Sequence, residues 1–130
     1  MNISFEGWDV VSVYTRAQAL EDGVLVDAGD VAREAGFRFP VALTQAAWAL
    51  TVALSPAAKR AGQDVSGRLW DVLTLLRVGI GRVSPGTADL MFTVLCSTTR
   101  VRPTLLRLRA VIGPGDKGEP VLTIMLPGES

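Results

Sequence analysis

The sequence predicts an α+β fold, about four helices followed by a three-stranded antiparallel β-meander, in a single globular domain over residues 1–130. Three observations lead there. The chain is 130 residues long and 48% hydrophobic, enough for one domain with its own core. Its apolar residues recur at helical spacing before Asp89 and at every second position after it. The last two apolar runs are separated by Gly113-Pro114-Gly115-Asp116-Lys117-Gly118-Glu119-Pro120, whose glycines and prolines suit a hairpin connection.

Taken in order, Thr15-Arg16-Ala17-Gln18 has the form of a capping box and opens a helix over 15–22 that stops at Gly23. Val24-Leu25-Val26 is a strand-like link, and Asp27 is placed to cap a second helix over 28–35, closed by Gly36. The third helix is expected over 41–54; it is apolar nearly all round, so neighbouring elements must cover it. Asp64 then caps a fourth helix over 65–78, with Val65, Leu69, Val72, Leu73 and Leu76 on one stripe and Gly79 and Gly81 ending it. The strands follow at 90–98, 104–112 and 121–126. In the first, Leu90, Phe92, Val94 and Cys96 share a face; in the second, Leu106, Leu108, Ala110 and Ile112 face away from Arg107 and Arg109.

Composition excludes whole classes of chemistry. There is no histidine and a single cysteine, Cys96, so serine-histidine and cysteine-histidine nucleophile pairs, histidine-bound zinc or haem, and an internal disulfide are all removed. No cofactor and no metal is expected. Cys96 itself reads as a small apolar filler. The N-terminus does not have the form of a secretory leader, which makes a cytoplasmic location in a bacterial host the expectation. The uncharged stretch Phe39 to Ala58 is interrupted by Pro40, Thr44, Gln45, Thr51, Ser55 and Pro56 and reads as buried helix, not a membrane span.

The 13 basic and 13 acidic residues cancel in number but not in position. Residues 1–34 hold seven acids against two arginines, a net of −5, whereas residues 59–109 hold nine basic residues against three acids, a net of +6. Four arginines, Arg100, Arg102, Arg107 and Arg109, fall within ten residues of the β region. Such a patch suits phosphate or an acidic protein surface, and it equally suits a solvated sheet face or a contact with the chain's own acidic segment. Trp48 and Trp70 are candidate interface anchors, with Arg77 one heptad beyond Trp70 and so beside it on the helix, although tryptophan more commonly packs at a core margin. Among the carboxylates, Glu21-Asp22 diverge on their helix, and Asp27 and Asp30 read as a cap and a first-turn acid.

Three blocks carry a resemblance. Val13 to Asp27 (VYTRAQALEDGVLVD), Glu34 to Thr44 (EAGFRFPVALT) and Gly67 to Leu73 (GRLWDVL), together with Gly113 to Asp116 and Glu119 to Pro127, are similar to a family of small proteins of unknown function encoded largely on plasmids, phages and integrative elements. The segment 82–109, with its arginines, fits that pattern less well. The resemblance supplies a setting and no activity. It implies a non-enzymatic binding protein of a mobile genetic element, in particular a counter-defence inhibitor of the anti-CRISPR type that occupies a host protein or nucleoprotein complex. Two alternatives stand beside it: a nucleic-acid-binding accessory protein using the same arginines, and a small carboxylate-based enzyme using Asp27 or Asp30.

Overall fold

A computed structural model of the chain describes residues 14–53, 60, 62, 64–96 and 104–129. The Thr15–Gln18 capping box forms as the sequence predicts and opens α1 (Arg16–Glu21), and Gly23, at φ 79°, turns the chain out of it. β1 (Leu25–Asp27) follows, then α2 (Gly29–Glu34), β2 (Val41–Thr44), α3 (Gln45–Thr51), α4 (Val65–Gly81), β3 (Asp89–Cys96), β4 (Thr104–Pro114) and β5 (Pro120–Met125). All five strands form one sheet in the order β1-β2-β5-β4-β3.

The meander β3-β4-β5 is antiparallel as expected, but the sheet does not stop there. β2 lies parallel to β5, pairing Val41 with Leu122 and Leu43 with Ile124, and β1 pairs antiparallel with β2 on the outer side. The three-stranded meander after a run of helices is therefore corrected to a five-stranded mixed sheet with helices interspersed among its strands.

The difference has a physical source at Val41-Ala42-Leu43-Thr44. Ala42 is buried on one face of β2, and Val41 and Leu43 on the other. A strand covered on both faces shows a continuous apolar run, which periodicity cannot separate from a buried helix. Thr44 marks the junction. Its hydroxyl accepts the amide of Ala47 at 3.2 Å, making it the cap of α3 and not an interior residue of a 41–54 helix.

α4 runs three residues longer than expected, through Gly79 and on to Gly81. A Cβ at Gly79 would lie 3.4 Å from that of Phe92, so this glycine lets the helix settle closely on β3. The core lies between this helix layer and one sheet face. Leu69, Val72, Leu73 and Leu76 of α4 meet Leu90, Phe92 and Val94 of β3, Leu108 and Ala110 of β4, and Leu122 and Ile124 of β5. No described helix is long and apolar enough to cross a membrane.

Candidate interaction surface

Strand alternation sends every second side chain of the sheet away from the helices, and this outer face is treated unequally along its width. On the β1-β2-β5 side it is covered. The Arg16 guanidinium donates to Thr123 Oγ1 at 2.8 Å and to the Leu122 carbonyl at 3.1 Å, and burial draws its pKa down. Asp116, in the β4–β5 connection, accepts the amides of Arg16 and Ala17 at 2.8 and 3.0 Å, so a loop acid clamps the first turn of α1. Those two amide bonds hold the Asp116 carboxyl below its ordinary range. At the end of β5 the Glu129 carboxylate accepts from Thr44 Oγ1 at 2.7 Å and from the Leu126 amide at 2.8 Å.

Arg109 stands at the boundary. Its guanidinium donates to both carboxylate oxygens of Asp89, at 2.9 and 2.5 Å, and to the Glu129 carbonyl at 3.1 Å. The paired guanidinium lowers the pKa of Asp89, and the carboxylate raises that of Arg109. This arginine is committed to β3 and the C-terminal turn.

Beyond Arg109, no described element covers the β3–β4 part of the outer face. Met91, Leu95 and Leu105 are 37, 58 and 69% exposed, and Leu95 sits directly across from Leu105. Arg107 is exposed and lies across from Thr93, between the Met91 row and the leucine pair. At the β3 edge, on the helix side, a groove of about 460 Å³ is lined by Trp70, Asp71 and Leu75 of α4 with Val94 and Leu95 of β3.

The residues singled out by the sequence divide among these surroundings. Arg107 lies on the bare face, Arg109 is paired with Asp89, and Arg100 and Arg102 lie outside the described residues. Trp48 is half-buried against the core, while Trp70 is 42% exposed on the helix layer. Trp70 and Arg77 do line one hollow, with Glu34 and Thr74. The Arg77 guanidinium, however, donates to the Ala35 carbonyl at 2.7 Å, capping the C-terminal end of α2 where the helix dipole favours a cation. It lies so close over Gly36 that a Cβ there would approach Nη1 to 2.5 Å. Neither tryptophan shares the outer sheet face with Arg107, because α3 and α4 pack against the opposite one.

The carboxylates are also placed. Asp27 accepts the Gly29 amide at 3.0 Å, and Ala28, not Asp27, holds the cap position of α2. Asp30 in the first turn of α2 pairs with Arg33 in its last. Among the described residues no three His, Cys, Asp or Glu side chains gather as a metal site. Cys96 ends β3, and its side chain lies outside the described residues.

A family model matches residues 1–130. The chain belongs to DUF6573, a family of unknown function. No curated protein and no solved structure matches the chain. Membership of DUF6573 therefore brings no activity, and the surface chemistry has to carry the functional reading.

Sequence reasoning reached Arg107 but passed over Met91, Leu95 and Leu105. Their signal is present in the strands. Odd-numbered positions of 89–96 and 104–112 place these three apolar side chains on the same face as the arginine, so both faces of the hairpin carry apolar residues.

Proposed function

We propose that this DUF6573 protein is a non-enzymatic binding protein that acts by protein–protein contact through the bare β3–β4 face. The observation that carries the reading is the exposure of Met91, Leu95 and Leu105 around Arg107, on a sheet face whose other half is covered. Methionine and arginine are enriched at protein interfaces, and neighbouring exposed apolar side chains mark interaction surfaces. Phosphate offers nothing to two leucines and a methionine, which sets this reading above a nucleic-acid one.

The setting comes from the block resemblance. The protein serves a mobile genetic element in the cytoplasm of a bacterial host, as a counter-defence inhibitor of the anti-CRISPR type that covers a working surface of a host protein or nucleoprotein complex. Inhibition by occupancy needs complementarity and no catalytic group.

The test is capture from host lysate on the immobilised protein, with and without nuclease, using wild type, Leu105→Glu and Arg107→Glu. A protein partner that survives nuclease and is lost in both variants is the expected result. Loss on nuclease treatment would favour a nucleic-acid target, and capture unaffected by either substitution would overturn the assignment to this face.

A further inference from the structure

β3 is the edge of the sheet, and no described element pairs with its outer side. Sheet edges are ordinarily protected by lysine, proline, a bulge or shortness. β3 has none of these. It runs eight residues in unbroken register from Asp89 opposite Val111 to Cys96 opposite Thr104, and its one charge, Asp89, is paired with Arg109.

The direction of its free backbone groups follows from one bond. The Ile112 amide donates to the Ala88 carbonyl at 2.8 Å, which makes 88 and 112 a hydrogen-bonded antiparallel pair. Such pairs alternate, so Leu90, Phe92 and Val94 turn their amides toward β4, and Met91, Thr93 and Leu95 turn theirs outward. The outward amides thus belong to the residues whose side chains form the bare outer face.

We infer that this edge takes an extended segment of a partner protein as a sixth strand, one whose outer face reads apolar, acidic, apolar at alternate positions. This deepens the binding reading above and rests on it. Charge selects the occupant. An added strand lies about 10 Å from β4, two strand spacings away. Arg107 reaches it across the short side chain of Thr93, which places a carboxylate of the partner opposite Thr93. Apolar side chains two positions to either side then meet Met91 and Leu95. A second copy of β3 would bring another Arg107 toward the same place and oppose like charges there. The partner's other face enters the groove formed by Trp70, Asp71 and Leu75 with Val94.

The probe is a short synthetic peptide with leucine, glutamate and leucine at alternate positions, valine between them and polar ends; a second peptide carries lysine for glutamate. Both are titrated into the full chain with amide hydrogen exchange as the structural readout. The glutamate peptide is expected to bind about tenfold tighter than the lysine peptide, and Arg107→Glu to invert the order. Amides of Met91, Thr93 and Leu95 gain protection on binding, while those of Phe92 and Val94 are protected already. Thr93→Pro removes an outward amide and weakens the glutamate peptide by about tenfold with β4 amides unchanged; if that variant does not fold, the wild-type exchange pattern decides.

Failure of the glutamate peptide to bind, equal affinity for both peptides, or binding without protection of the odd-numbered amides overturns the inference. So does concentration-dependent self-association that protects those same amides, since the edge then belongs to a second copy. Failure of the strand alone is recognisable, because lysate capture would still be lost in Leu105→Glu while Thr93→Pro captured normally.

Discussion

The two halves of the outer sheet face belong to one continuous sheet and are treated oppositely. Over β1, β2 and β5, polar groups act as fasteners: Arg16 onto Thr123, Asp116 onto the first turn of α1, and Glu129 onto Thr44. Over β3 and β4, Leu95 faces Leu105, with Thr93 and Arg107 beside them. Arg109 divides the two, one side of its guanidinium on Asp89 and the other on the Glu129 carbonyl. The comparison teaches that an arginine count is a poor guide to a binding surface. Arg16, Arg77 and Arg109 are engaged in holding elements together, and only their placement distinguishes them from the exposed Arg107.

The contrast can be broken most sharply within β4. Leu108 is fully buried and Leu105 is on the bare face. Leu108→Ala should cost about 2–5 kcal/mol in chemical denaturation, whereas Leu105→Ala should stay within about 0.5 kcal/mol. Equal costs would mean that the bare half is packed after all. Next in size is Arg16→Met, which removes two charged hydrogen bonds from the covered half and should cost about 1–3 kcal/mol.

A smaller effect follows from pH. The Asp116 and Asp89 carboxyls are depressed in the folded state, so their stabilisation is complete above the ordinary aspartate range of about pH 4 and is lost as pH falls through their lower folded values. Thermal melts should therefore drop on acidification below about pH 4, and Asp116→Asn should flatten that drop. An acid slope unchanged by Asp116→Asn would remove this residue from the account.

The smallest effect on folding belongs to Arg107→Glu, whose melting temperature should match wild type. Arg109→Glu should lower it, since two carboxylates would then oppose one another at Asp89. The pair of arginines that a sequence shows two residues apart is thereby separated into one that serves binding in our reading and one that serves the fold.

Most local signals in the sequence are matched by local structure, although Asp27 gives the cap position to Ala28 and Gly79 does not end its helix. Thr15, Gly23, Gly36 and Asp64 mark helix ends because capping and left-handed turns depend on adjacent residues. The β3–β4–β5 alternation was legible for the same reason. β2 was not, because burial on both faces erases alternation, and its parallel partner lies some 80 residues away. The fasteners were equally hidden. Asp116 meets Arg16 across a separation of 100 residues, and nothing near either one announces the other. For the candidate surface, Arg107 was visible as a charge, whereas the leucines around it became informative only when the covered half showed what an occupied sheet face looks like.

β5 is the last of the described strands in sequence yet lies at the centre of the sheet, between β2 and β4. On the ribosome, β1 and β2 emerge early and then wait, with the Val41–Leu43 edge unpaired, until residues 120–125 clear the exit tunnel. The β1-β2 pair and the β3–β4 hairpin become one sheet only when β5 enters between them. A nonsense codon shortly before Pro120 would leave two unconnected fragments of sheet, β1-β2 and β4-β3, each with a raw edge.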